Sequence, residues 1–101
     1  MRVGLSMSNK LAEIVSVMLS GKDKSSVEVF MRCLLTPQEI SDISSRWEIF
    51  KLLSEGVSQR KIAGRLGVSL CKVTRGSREM KEHKEVILEM MEKLEEIKSG
   101  R

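Results

Sequence analysis

Between Ser58 and Lys81 the chain carries Arg60, Lys61, Arg65, Lys72, Arg75, Arg78 and Lys81 against one acid, Glu79, a local net charge of +6 within a total of +4. The other residues therefore sum to −2, and the isoelectric point near 9.3 reports a local excess rather than a uniformly basic chain. Ammonium and guanidinium groups gathered at this density suit a polyanionic partner, phosphates above all. A basic stretch is ordinarily a solvated surface. Here the residues between the cations give it a shape.

Ile62, Ala63 and Leu66 repeat at the spacing of a short helix with one apolar side. Gly67 predicts its end, because glycine takes the positive φ of a helix terminus without steric cost. Ser69 predicts the cap of a second helix, and Leu70 and Val73 an apolar side that packs on the first. Ala63 suits the crossing point, where a larger side chain would push the helices apart. Two short helices joined by such a turn form a helix-turn-helix unit, whose second helix can enter a DNA major groove. Leu70, Cys71, Lys72 and Thr74 then face base edges, and Gln59, Arg60 and Lys81 hold phosphates. The segment has no aromatic residue on which bases could stack, which disfavours single-strand binding.

A length of 101 residues bounds the answer at one domain, with 32% charged and 41% apolar residues in the ordinary globular range. No apolar run exceeds three residues, which predicts neither a membrane span nor a secretory leader and makes the cytoplasm the default location. Cys33, Cys71 and the sole histidine, His83, are too few and too dispersed for a disulfide framework or a metal site. Nothing pairs a nucleophile with a base, and no glycine-rich phosphate loop precedes a helix, so the chain does not read as an enzyme.

The elements that must position the basic segment are helical. After an aperiodic arm, Met1–Ser8, residues Leu11, Ile14, Val15 and Met18 mark a helix ending at Gly21. Lys22–Ser26 reads as a polar break. A second helix, Ser26–Leu34, carries Val27, Phe30, Met31 and Leu34, widened by Val29, Cys33 and Leu35 into a face covered on more than one side. Thr36-Pro37-Gln38-Glu39 is a strong helix start, with cap, first-turn proline and reciprocal glutamate. Ile40, Ile43, Trp47, Phe50 and Leu53 then make a long stripe, read as a dimer spine, which Ser54-Glu55-Gly56 ends. Glu82–Lys98 closes the chain as an amphipathic helix. Its apolar face holds Val86, Ile87, Met90, Met91, Leu94 and Ile97, and its six acids on the other face predict a place away from DNA. The result is an all-α chain of six helices: 1–8 an arm, 9–56 and 82–98 a dimer core, 57–81 a DNA-reading head.

Four blocks, LLTPQE at Leu34–Glu39, SSRWEI around Arg46, VSQRKI at Val57–Ile62 and KVTRGS at Lys72–Ser77, resemble the tryptophan repressor family in content, order and spacing. The likeness is strongest over residues 30–81. It implies an intertwined homodimer of six-helix chains, each with one DNA-reading head, acting as a transcriptional repressor. It also implies L-tryptophan as corepressor, bound between core and head, and a palindromic double-stranded operator of tryptophan-related genes. By position, Arg46 and Arg75 would flank the indole, with Arg75 also on the ligand carboxylate. Backbone carbonyls around Cys33 and Leu35, with Thr36, would come from the other chain to meet the ammonium group, and Gly76 would leave space beside the ring.

Two departures stand out. Glu79 takes a place where the family can carry a small hydroxyl residue, and its carboxylate could pair with the ligand ammonium or crowd it. The link at Leu53–Val57 is one residue shorter than is usual in the family, which bears on head orientation and half-site spacing. Beside the ligand-gated repressor stand two other readings: a ligand-independent helix-turn-helix regulator, and a helical interaction module without DNA binding, against which the concentrated +6 argues.

Overall fold

The computed structural model describes residues 7–100, all six elements of which are α-helices, with no strand among the described residues. They are α1 (Met7–Ser20), α2 (Lys24–Leu34), α3 (Pro37–Ser54), α4 (Gln59–Leu66), α5 (Leu70–Glu82) and α6 (Lys84–Ser99). The expected arm falls outside the described residues up to position 6, while Met7 and Ser8 already belong to α1. Among the described residues, no helix is long and apolar enough to cross a membrane.

The chain forms two compact units that meet in sequence at Ile40 and Ser41. In the first, α2 begins earlier than the polar run predicts. Asp23 caps it, accepting from the Ser25 N–H at 3.1 Å and the Ser26 hydroxyl at 2.9 Å, so the break shrinks to Gly21–Asp23. No α2 residue is buried within the single chain, and Val29 and Leu34 are exposed. At the start of α3 the reciprocal cap forms as expected: Thr36 N–H donates to Glu39 Oε1 at 2.9 Å and Glu39 N–H to Thr36 Oγ1 at 3.1 Å.

The second unit holds the core: Ile49 and Leu52 from α3, Ile62 from α4 and Val73 from α5. The apolar stripe expected to be central to α3 is a different one. Ile40, Trp47 and Phe50 are half-buried and Ile43 is exposed, whereas Ile49 and Leu52 lie on the roughly opposite side of the helix. Helix α3 therefore has two apolar faces, and only one of them meets α4 and α5.

Short-range bonds set the turns. Helix α3 ends with Val57 N–H donating to Leu52 C=O (3.1 Å) and Gly56 N–H to Leu53 C=O (3.0 Å), with Gly56 at φ +86°. This closure makes a tight link, and Val57 packs on the core it helps to seal. Ser58 caps α4 by accepting from Lys61 N–H, and Ser69 caps α5 by accepting from Lys72 N–H. Gly67 ends α4 at φ +66°, as its position predicts. Ala63 is half-buried and packs against the core. Leu70 does not share the packing role of Val73: Val73 is fully buried and Leu70 exposed. Glu82 belongs to α5, and His83 alone separates α5 from α6.

Gly76 is buried, and a Cβ there would stand 2.8 Å from Ile49 Cγ2. Glycine thus lets the α5 backbone seat directly on α3. Gly76→Ala is expected to destabilise the fold by about 1–3 kcal/mol through overpacking. Chemical denaturation followed by circular dichroism measures it. Because Ile49→Ala removes the obstructing methyl, the double variant should lose less than the two single losses combined.

Candidate ligand recess and nucleic-acid interface

Residues three and four apart share a helix face, so Asp42, Ser45, Arg46 and Ile49 form one side of α3. Lys72 and Arg75 approach that side from α5, and these six residues enclose a recess of about 100 Å³. Arg46 and Arg75, expected as the two jaws of a ligand clamp, are thus brought together. Asp42 and Ser45 are additions that the sequence reading missed. Their signal was available, since both fall on the helix face that carries Arg46. Asp42 Oδ1 lies 3.6 Å from Lys72 Nζ, an ion pair joining α3 to α5.

The remaining expected ligand residues are placed as follows. Gly76 is not in the lining; it is buried against Ile49, which is, and a Cβ there would meet the Ile49 side chain. Glu79 is not in the lining; its carboxylate turns along α5 to His83 Nε2 at 3.9 Å. Cys33, Leu35 and Thr36 belong to the first unit. There Cys33 is exposed, Leu35 is the C-cap of α2 with its N–H donating to Met31 C=O, and Thr36 is engaged in the α3 cap.

On the α4–α5 pair, Arg60, Leu70, Cys71, Lys72, Thr74 and Lys81 are exposed, while Gln59 is half-buried. The Thr74 hydroxyl donates to Gln59 Oε1 at 2.8 Å, tying the first residue of α4 to the outer side of α5. Arg65, Arg75 and Arg78 are exposed as well, so cations line the outer surface of both helices.

Two other features are less suited to a ligand. An open groove of about 630 Å³ runs between the end of α3 and α6, with Leu88, Met91 and Leu94 among its lining and Lys51, Glu92 and Glu95 around them. It mixes charges of both signs and gathers no guanidinium pair. Glu79, Glu82 and His83 hold potential ligand atoms within 4.8 Å of one another. Lys81 lies within that trio in sequence and Lys84 directly after it, and both oppose a bound cation.

The chain is similar to known proteins over most of its length. The family described as Trp repressor protein matches residues 9–95. The Trp operon repressor homolog of Vibrio campbellii is 37% identical over 70 residues, covering 68% of this chain and 70% of the relative. That of Vibrio parahaemolyticus is 36% identical over 74 residues, 72% of each chain. That of Xylella fastidiosa is 30% identical over 71 residues, 69% of this chain and 77% of the relative. No solved structure matches the chain. With a match that runs from the first turn of α1 into the last turns of α6, this chain belongs to the Trp repressor family.

Proposed function

We propose that this chain is a DNA-binding transcriptional repressor that uses L-tryptophan as corepressor and grips a palindromic operator of tryptophan-related genes as a homodimer. The observation that carries the reading is the recess that Arg46 and Arg75 line from two different helices. A guanidinium offers a planar face to an indole and paired N–H donors to a carboxylate, so two of them suit an aromatic amino acid. Arg46 and Arg75 stack on the ring and Arg75 takes the carboxylate. Cys33 and Leu35 carbonyls and Thr36 of the second copy complete the site. At about 100 Å³ the recess is far smaller than the roughly 300–1,000 Å³ of ordinary small-molecule sites. A ring enters only as α5 shifts from α3, so the filled and empty states differ in the position of α5. That difference is what a ligand needs in order to move an equilibrium.

Helix α5 acts as the reading helix of a helix-turn-helix. Leu70, Cys71, Lys72 and Thr74 meet base edges, and Gln59, Arg60 and Lys81 meet phosphates. Residues 57–81 serve as the head, and 9–56 with 82–98 as the core. Exposed apolar residues support the dimer: Leu11, Val15 and Leu19 on α1, Val29 on α2, Ile43 on α3 and Ile97 on α6 all lack cover in the single chain. A soluble repressor of this kind works in the cytoplasm. So small a recess also fits a regulator that has no ligand, and the same experiment separates the two.

A gel shift on a duplex selected from a random pool in the presence of L-tryptophan should show retention with the amino acid and little without it. Equal retention in both lanes would establish the ligand-independent regulator, and no retention of any duplex the interaction module. In calorimetry without DNA, the wild type should bind one L-tryptophan per chain. Arg75→Ala should bind at least tenfold more weakly, since a hydrogen bond to a charged group contributes about 1.5–3 kcal/mol, and Arg46→Ala severalfold more weakly, since a guanidinium on an aromatic face contributes about 0.5–2 kcal/mol; unchanged isotherms for both would remove the clamp. Sedimentation at micromolar concentration should give about twice the 11.4 kDa chain mass, and a folded monomer would contradict the shared site.

A further inference from the structure

We infer that Gln59 sets the hydrogen-bonding polarity of Thr74, so that the reading helix selects a base pair whose major-groove edge offers an amino group, adenine N6 or cytosine N4. The inference deepens the proposed function and rests on one part of it, α5 in a DNA major groove. The Thr74 hydroxyl donates to Gln59 Oε1 at 2.8 Å, a bond between side chains 15 positions apart. A hydroxyl has one proton and two lone pairs. With the proton committed to Gln59, Thr74 Oγ1 meets a base as an acceptor only. A threonine free to rotate bonds donors and acceptors alike and carries little information. Amino groups are the N–H donors of the major-groove edges, whereas guanine N7 and O6, adenine N7 and thymine O4 present lone pairs that an acceptor repels.

The packing underneath holds both partners in place. Ile62 follows Gln59 by one turn of α4, so the two share a helix side; Ile62 is fully buried and Gln59 half-buried. Val73 is fully buried in the same apolar cluster as Ile62, which fixes the rotation of α5 about its axis. Thr74 follows about 100° further round and is exposed. The Gln59 amide keeps its Nε2 donors, and these suit a phosphate oxygen, the contact already proposed for Gln59. One side chain thereby joins a backbone contact, which carries no sequence information, to a base contact that does. Gln59 acts on the base through Thr74 and is a positioning residue.

The test uses the full chain as wild type, Gln59→Ala, Gln59→Glu and Thr74→Val, with circular dichroism to verify folding. Affinities for the selected duplex and for each of its single-base-pair variants are measured by fluorescence anisotropy with saturating L-tryptophan. Thr74→Val keeps the shape without the hydroxyl, and the base pair at which it loses discrimination is the one Thr74 reads. There the wild type should favour the amino-bearing base about three- to tenfold over a duplex with that amino group deleted, purine for adenine or pyrimidin-2-one for cytosine. Thr74→Val should not distinguish the two. Gln59→Ala frees the hydroxyl to donate, so the preference should fall to within about twofold while other base pairs keep theirs. Glutamate can only accept, so Gln59→Glu should bind every duplex more weakly, by repulsion from phosphate, with the preference intact. An unchanged preference in Gln59→Ala would overturn the inference and leave Gln59 a phosphate contact in a working repressor. Loss of the preference in Gln59→Glu would also overturn it, as the sign that the amide donates to the hydroxyl. So would a Thr74→Val chain that discriminates at every base pair as the wild type does. A wild type that retains no duplex would overturn the inference and the proposed function together.

Discussion

Ile49 and Gly76 fix how closely α3 and α5 approach, and the recess, the core and the basic surface all take their positions from that contact. With no Cβ at position 76, the α5 backbone rests on the Ile49 side chain, and a Cβ would come within 2.8 Å of it. Val73, one turn earlier on α5, then reaches the same apolar cluster as Ile62 and Leu52. The seating also brings Arg75 and Lys72 alongside Arg46 and Asp42. A bulkier residue at 76 would move both cations of α5 away from α3. The site is built from the packing upward.

The core that results is small and wholly apolar; no polar or charged side chain is buried among the described residues. Every cation of the basic segment therefore remains at the surface or half-buried, where its field acts over a Debye length of roughly 8–10 Å and falls with added salt. Acids are concentrated elsewhere, on α6 at Glu85, Glu89, Glu92, Glu95 and Glu96. Cations predominate on α4 and α5 and acids on α6; Glu79 is the acid within the basic stretch, and its carboxylate is turned to His83.

What could be read from the sequence is what depends on neighbours a few residues apart. The Thr36–Glu39 cap, the Ser69 cap and the left-handed Gly67 all rest on bonds that span three to five positions, and all appear in the structure; the Ser58 cap, equally local, is one the sequence analysis did not name. Asp23 is the local feature that was passed over, because a run of polar residues hides the cap within it. For α3 the sequence shows a stripe, read as a dimer spine, but not which residues the same chain buries. That helix is apolar on two sides, and periodicity gives no means to choose which side the same chain covers. Ile40, Ile43, Trp47 and Phe50 made the more regular stripe, yet Ile49 and Leu52 are the buried residues. Arg46 and Arg75 were found only through resemblance to a family, and their meeting in one recess depends on a tertiary contact. Asp42 with Lys72 was not legible at all, since nothing local links two residues so far apart in sequence.

The shared core also limits how a ligand can act. A head that swung freely about the link at Leu53–Val57 would have to pull Ile62 and Val73 away from Ile49 and Leu52. Exposing even two such side chains costs about 3–6 kcal/mol at the usual value for full burial. Couplings between binding sites are typically about 1–3 kcal/mol, too little to drive such a separation. The Lys72–Asp42 pair, exposed and worth at most about 1 kcal/mol, lies within that range. Movement that fits the available energy is therefore a small tilt of α5 on Ile49 together with rearrangement of the charged side chains around the recess. The apolar contact stays closed and serves as the pivot. A shift of that size acts on the polar rim of the α3–α5 contact, and its apolar centre keeps the two helices together.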